Sequence, residues 1–330
     1  MASAPQKVTV TDWTFPDLCI EEEILGRNSV SLVGKQCKSP ADLLSLVSDA
    51  DAVITQFAKI DATVIGAMKR ARVIVRYGIG VDNVDLEAAR ERGIPVCNVP
   101  DYCMDEVADH TLAFILATTR QVLPNTLHLK AGKWGLATPL ASMQALKNLT
   151  VGVIGFGRIG REVLRRLLPF KCRVLVFDPV VPLDEIRHAG AEPAKSFDHL
   201  LVESDIVTLH CPSTSQTRQM FNAEAFGKMK RGAIFINVAR GDLADSSALA
   251  GALQSTSLGG AALDVFNPEP IPADNPILKM SNVLLTPHIA SASPAAVRKL
   301  RETVARIALK AVHGEALPNV VNRVKTGPVD

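Results

Sequence analysis

No apolar run in this 330-residue chain approaches the roughly 20 residues needed to cross a bilayer, and Leu112-Ala-Phe-Ile-Leu-Ala117 is among the longest. A chain of membrane-spanning helices is excluded. The opening residues, Met1-Ala-Ser-Ala-Pro-Gln-Lys7, lack the apolar h-region of a signal peptide, and Val8-Thr-Val10 already reads as a strand. Charge of one sign is also missing: 36 Lys and Arg stand against 34 Asp and Glu, a net +2 with no long block of either sign. Recognition of nucleic acid or of a membrane surface by bulk charge is therefore not expected. The six cysteines (Cys19, Cys37, Cys97, Cys103, Cys172 and Cys211) include no C-x-x-C pair. That pattern predicts reduced thiols in a cytoplasmic protein, with no disulfide framework and no metal site. Neither a repeat of 20–50 residues nor a low-complexity tract is present.

What is present is a globular composition, 47% apolar and 21% charged. A chain of this length suggests about two domains and buries roughly 75% of its unfolded surface. Short β-rich runs alternate with helical patterns, the signature of parallel sheets covered by helices. Strands are expected at Val8–Thr11, Val30–Val33, Ala52–Thr55, Val73–Arg76 and Val96–Asn98. Between the second and third, Ser39-Pro40-Ala-Asp42 reads as a helix start, with a Ser cap, Pro in the first position and an acid in the first turn. A largely apolar helix is expected from Asp105 to Val122, stopping near Pro124, with an irregular arm over His128–Lys147. Six further strands follow, at Leu149–Ile154, Arg173–Phe177, Asp205–Leu209, Ala233–Val238, Gly260–Leu263 and Val283–Leu285. A last helix, Pro294–Val312, lies far enough along the chain to return to the first domain.

The sharpest local signal is Val151-Gly-Val-Ile-Gly155-Phe-Gly157-Arg158-Ile159-Gly160, a G-x-G-x-x-G turn between an apolar strand and a helix. Gly155 suits the tight turn, Gly157 lets the backbone approach a pyrophosphate, and Gly160 lets the helix pack closely. The next strand ends in Asp178, 18 residues after Gly160. An acid there is placed to accept hydrogen bonds from ribose hydroxyls and to repel a 2′-phosphate, so NAD (NADH) is expected as cofactor in preference to NADP.

Three ionisable residues follow successive strand ends. They are Arg240 in Asn237-Val-Ala-Arg240-Gly241, Glu269 in Asp264-Val-Phe-Asn-Pro-Glu269-Pro270, and His288 in Thr286-Pro-His288-Ile-Ala290. Taken singly, each has a plain alternative: a surface charge, a loop acid and a satisfied core histidine. Together, on the rim of a sheet where ligands bind in open α/β folds, they suit reduction of a 2-keto acid. Arg can hold carboxylate and carbonyl oxygens in one planar fork, and His can donate the proton. Glu269 would orient the ring and favour its charged form.

These motifs, with Gly78-Ile-Gly80-Val-Asp82-Asn83-Val-Asp85, resemble the D-isomer-specific 2-hydroxyacid dehydrogenase family, in order and over essentially the whole chain. The resemblance implies two doubly wound α/β parallel-sheet domains. A Rossmann NAD-binding domain (residues 100–290) is inserted into a flavodoxin-like substrate domain (residues 1–99 plus 291–330), with a cleft that closes between them. Arg240, Glu269 and His288 are the implied catalytic residues. Cofactor contacts are implied at Arg158, Ile159, Asp178, Cys211, Val238, Ala239, Arg240, Asp264 and His288, beside the Gly-rich turn, with Asp264 facing the nicotinamide carboxamide. The loop Arg76-Tyr77-Gly78-Ile79-Gly80 would present N–H groups to the substrate carboxylate, and Tyr77, Tyr102 and Met104 are candidates for shaping the pocket. The long helix after Asp105 implies a homodimer.

Within the family, Val73–Asn83 and Val96-Cys-Asn-Val-Pro100 most resemble the branch of the C-terminal binding protein corepressors. Asp101–His110 resembles bacterial enzyme members instead, and no Trp follows His288. The expected substrate is a small 2-keto or 2-hydroxy acid such as glyoxylate, hydroxypyruvate or pyruvate. Alternatives are an NAD(H)-sensing corepressor-like protein and a phosphoglycerate dehydrogenase on the same fold. The chain ends about 18 residues after the last helix, so a C-terminal regulatory domain is not expected.

Overall fold

The computed structural model describes residues 6–327. The chain forms two compact units, one through Tyr102 together with the residues from Ser293 onward, the other Cys103–Ala292. The breaks read from the sequence, 99/100 and 290/291, lie two or three residues away from these.

The first unit begins β1 (Lys7–Val10), α1 (Cys19–Gly26), β2 (Ser31–Gly34), α2 (Pro40–Val47), β3 (Ala52–Thr55), α3 (Ala62–Ala67), β4 (Ile74–Arg76), α4 (Leu86–Glu91) and β5 (Val96–Cys97). The second contains α5 (Met104–Thr119), α6 (Val122–Lys130), β6 (Thr150–Ile154), α7 (Arg158–Leu167), β7 (Arg173–Phe177), α8 (Leu183–His188), β8 (Glu192–Pro193) and α9 (Phe197–Glu203). It continues through β9 (Ile206–Leu209), α10 (Ala223–Lys228), β10 (Ala233–Asn237), α11 (Ser246–Gln254), β11 (Leu258–Leu263) and β12 (Val283–Leu285). The final helix, α12 (Pro294–Val312), belongs to the first unit.

All strands of the first unit are parallel, in the order β2-β1-β3-β4-β5, the flavodoxin-like arrangement. One face is packed by α1 and α12, where Leu25, Leu300, Val304 and Ile307 meet Val8, Val10 and Val75. The other face is packed by α2, α3 and α4 through Val47, Val64, Ile65 and Ala89. Helix α2 begins on a reciprocal cap: the Asp42 N–H donates to Ser39 Oγ at 3.2 Å and the Ser39 N–H to Asp42 Oδ2 at 3.2 Å, with Pro40 where no N–H is needed.

The second unit is a parallel sheet of seven strands, β12-β11-β10-β9-β6-β7-β8. Counted from β6 its order contains the doubly wound 3-2-1-4-5-6 pattern, with one more strand at the edge. Strands β6 and β9 are neighbours across the point where the order reverses, and ligands bind at the carboxyl ends there. The strand beyond the six expected is β8, a two-residue edge strand with a proline, too short to show alternation.

The expected helix to Val122 is two helices. α5 ends at Thr119, Gln121 turns the chain in the left-handed region at φ 52°, and α6 starts at Val122. Pro124 is therefore the third residue of a new helix, where a missing N–H costs nothing, rather than a stop. Part of the segment expected to be irregular is helical for the same reason. Among the described residues no helix is long and apolar enough to cross a membrane, and no group of three His, Cys, Asp or Glu is placed to hold a metal ion.

Candidate active site

The Gly-rich turn joins β6 to α7. Gly155 has φ +92°, and a Cβ there would lie 2.6 Å from the backbone of His210 and Cys211 at the end of β9. A Cβ on Gly160 would collide with the Gly155 carbonyl. Gly155 is therefore required for both its dihedral and the close approach, and Gly160, within α7, for the close approach alone. Gly157 caps α7 without a side-chain acceptor, and a Cβ there would meet nothing within 4 Å. The N–H groups opening α7, at Arg158, Ile159 and Gly160, thus form a cradle with a positive dipole end, suited to a pyrophosphate.

Asp178 follows β7 directly. Its Oδ2 accepts the Phe156 N–H at 2.7 Å, and its Oδ1 accepts those of Val180 (2.8 Å) and Val181 (3.2 Å). The carboxylate is half-buried and tied to the Gly-rich turn. Burial pushes the Cys211 thiol up to about 11, and the Asp178 charge adds to the rise, so the sulfur is a neutral surface rather than a nucleophile.

The ends of β10, β11 and β12 carry the other polar groups. Asn237, 1% exposed, donates from Nδ2 to the Arg240 carbonyl (2.8 Å) and accepts the Ala239 N–H (3.0 Å), which fixes the turn Val238–Arg240. The Arg240 guanidinium donates to the Ala239 carbonyl at 2.6 Å. His288 Nδ1 lies 2.8 Å from Glu269 Oε2, while Glu269 Oε1 accepts the Phe266 N–H at 2.8 Å. Burial would raise the Glu269 pKa, but the His288 hydrogen bond and charge, the Phe266 N–H and the Arg240 charge outweigh it and hold it below the usual carboxylate range. Nδ1 is therefore the ring nitrogen turned to Glu269. The structure thus brings Glu269 and His288 into contact and sets the Arg240 charge close enough to act on Glu269.

Asp264 is 1% exposed. Its Oδ1 accepts from Thr286 Oγ1 (2.5 Å) and the Ile289 N–H (2.8 Å), and its Oδ2 accepts the Ala290 N–H (2.8 Å). Its carboxylate fastens the loop that carries His288. Two residues to which the sequence reading assigned no role join this cluster: Thr286 and, from α5, His110, whose Nε2 is 3.1 Å from Thr286 Oγ1. The available signal was a lone polar ring on a mostly apolar helix.

In the first unit, the loop Arg76–Gly80 follows β4. Gly78 has φ +143°, and the Arg76 guanidinium folds back over it so closely that a Cβ would collide. The carbonyls of Gly78 and Ile79 accept from the Val99 N–H (3.0 Å) and Asn98 Nδ2 (2.6 Å). The expectation of a substrate-facing Tyr77 side chain is corrected here. The ring is 1% exposed, and its hydroxyl donates to Glu21 Oε1 at 2.9 Å, inside the core. Glu21 is itself paired with Arg301 of α12 at 2.7 Å, and burial with the Glu21 charge raises the Tyr77 pKa far above the phenol range.

Residues 112–290 match the D-isomer specific 2-hydroxyacid dehydrogenase, NAD binding domain. The chain belongs to the D-isomer-specific 2-hydroxyacid dehydrogenase family. It is 38% identical over 291 residues to a glyoxylate reductase of Korarchaeum cryptofilum, covering 87% of each chain. It is 38% identical over 282 residues to a D-3-phosphoglycerate dehydrogenase of Methanocaldococcus jannaschii, covering 85% of this chain and 53% of that one. The crystal structure of D-lactate dehydrogenase from Aquifex aeolicus complexed with NAD and lactic acid is similar at a TM-score of 0.84 and 29% identity, over 94% of this chain and 96% of that one. As a member of the family, the chain is an NAD-dependent D-2-hydroxyacid dehydrogenase, with the matched NAD-binding domain lying within the second unit.

Proposed function

We propose that this D-2-hydroxyacid dehydrogenase interconverts a small unphosphorylated 2-keto acid and its D-2-hydroxy acid, with Arg240, Glu269 and His288 as the catalytic residues. The carrying observation is the Glu269–His288 contact at 2.8 Å beside the Arg240 charge. Bound NADH supplies the hydride. The α7 N-terminus and Gly157 hold its pyrophosphate, and Asp178 takes the ribose hydroxyls and disfavours a 2′-phosphate. Cys211, Val238 and Ala239 line the same strand ends. Arg240 holds the substrate carboxylate and carbonyl oxygen by charge-assisted hydrogen bonds. Glu269 keeps the His288 ring oriented through Nδ1, so that Nε2 gives its proton to the carbonyl oxygen in one direction and takes it back in the other.

The reading extends to assembly as a homodimer. None of the nine residues of α6 is buried, and helices this short do not persist alone in water. Leu127, Leu129 and Leu140 are more than half exposed, and Trp134 is 92% exposed, so the apolar arm suits a second copy of the chain.

The test is NADH oxidation by the purified protein with glyoxylate, hydroxypyruvate, pyruvate, longer keto acids and 3-phosphohydroxypyruvate. Turnover is expected on a small unphosphorylated acid, and His288→Ala should lower it by about 10²–10⁴-fold with NADH binding kept. Turnover confined to the phosphorylated acid would identify a phosphoglycerate dehydrogenase. NADH binding without turnover on any acid would favour a nucleotide-sensing, corepressor-like protein.

A further inference from the structure

The loop after β12 carries His288 at φ +55°, in the left-handed region that residues other than glycine adopt uncommonly. The backbone of this loop is bonded to Asp264 and Thr286. The His288 N–H donates to the Asp264 carbonyl (2.7 Å) and to the Thr286 carbonyl (3.1 Å). The next two N–H groups, of Ile289 and Ala290, each take one oxygen of the Asp264 carboxylate at 2.8 Å. The Thr286 hydroxyl completes the set at 2.5 Å from Asp264 Oδ1.

A hydroxyl has one proton, and a carboxylate can only accept it, so the Thr286 proton is committed to Asp264. His110 Nε2, 3.1 Å from the same hydroxyl and 4.0 Å from Asp264 Oδ1, must then be the donor. The result is a directed chain: His110 Nε2–H to Thr286 Oγ1–H to Asp264 Oδ1. His110 stands edge-on to Phe114, with ring centroids 4.5 Å apart. Burial lowers its pKa although the Asp264 charge opposes the shift, which keeps the ring neutral with a single N–H.

We propose that His110 is a positioning residue: through Thr286 it orients the Asp264 carboxylate that clamps the His288 loop. This inference rests on the reading of His288 as the acid–base group. His110 acts through Thr286 and Asp264, so the proposal places its effect on the rate of the chemical step rather than on binding.

The test is a double-mutant cycle. His110→Phe keeps the ring against Phe114 and removes the donor; Thr286→Val removes the hydroxyl. Each is expected to lower kcat about ten-fold, a cost of the size that small misplacements of a catalytic group produce, with KM for the keto acid and NADH affinity nearly unchanged, while Thr286→Val, which takes a donor from the buried Asp264 carboxylate, also lowers Tm by a few degrees. The double variant should be no slower than the worse single one, and Thr286→Ser should restore most of the rate. Wild-type kcat in His110→Phe, multiplying losses in the double variant, or NADH affinity falling in step with kcat would overturn the proposal. If the wild-type protein reduces no keto acid, the reading of His288 fails instead, and the chain is then tested by histidine ¹⁵N NMR of the whole protein. A His110 ring protonated at Nε2 and bare at Nδ1, shifting to a tautomer mixture in Thr286→Val, supports it. An Nδ1–H ring in the wild type overturns it.

Discussion

The carboxylate of Asp178 accepts three backbone N–H groups, from Phe156, Val180 and Val181, and so ties the Gly-rich turn to the loop after β7. The same group is proposed to select NADH, and the two roles separate under a neutral replacement. Asp178→Asn keeps an acceptor for Val180 but sets an amide N–H₂ against the Phe156 N–H, a loss of about 1–3 kcal/mol for the turn. It also removes the negative charge facing a 2′-phosphate. The expected outcome is a fall of about ten-fold or more in the preference for NADH over NADPH, set by kcat/KM for both, with Tm a few degrees lower. A lowered Tm with the preference intact would mean that Asp178 serves the turn alone.

At the scale of elements, the strands and the strand-end residues were legible because their patterns are local. Of the seven-stranded sheet only β8 was absent from the expected strands, and Arg240, Glu269 and His288 follow three successive strands in the chain. What escaped depends on contacts between distant segments. Glu21 lies in Glu21-Glu22-Glu23 and has the chemistry of its exposed neighbours, yet it is 0% exposed. Only α12, 280 residues away, makes that burial tolerable, through Arg301 Nε to Oε1 at 2.9 Å and Nη2 to Oε2 at 2.7 Å. The Tyr77 hydroxyl completes the acceptor's shell, which explains why an aromatic beside the Gly78 loop faces the core. His110 escaped for the same reason, since its partner Thr286 is 176 residues away. Arg301→Met would leave the Glu21 carboxylate buried without its cation, and a loss of about 3–5 kcal/mol in the unfolding free energy of the first unit is expected in urea. Adding Glu21→Gln should return much of it. A single variant as stable as the wild type would show that the pair contributes nothing net.

At the scale of the whole molecule, a net charge of +2 gives little bulk self-repulsion near neutrality, so stability should follow individual groups as pH changes. His210, at the end of β9 where Gly155 packs, bonds through Nε2 to Thr208 Oγ1 at 3.0 Å, and burial pushes its pKa down to about 3. The unfolded chain takes up this proton near pH 6.5, the folded chain only near 3, so the stability is complete above 6.5 and is lost progressively down to 3. His110, lowered as well, adds in the same direction. Carboxylates act later: Asp42, held at about 2 by Lys35, Ser39 and the Lys38 N–H, contributes above its ordinary 3.8 and loses that contribution as pH falls through 2. Between pH 6.5 and about 5 the loss therefore belongs to His210 and His110. Each costs at most about 1.4 kcal/mol per pH unit, and for a unit of this size 1 kcal/mol moves Tm by about 2–4 °C. Wild-type Tm should fall several degrees between pH 7.5 and 5, and His210→Asn should flatten that slope while leaving the loss below pH 4 in place. An equal slope in the variant would mean that His210 takes up its proton in the folded state near its ordinary pKa, and that its burial costs the ring no charge.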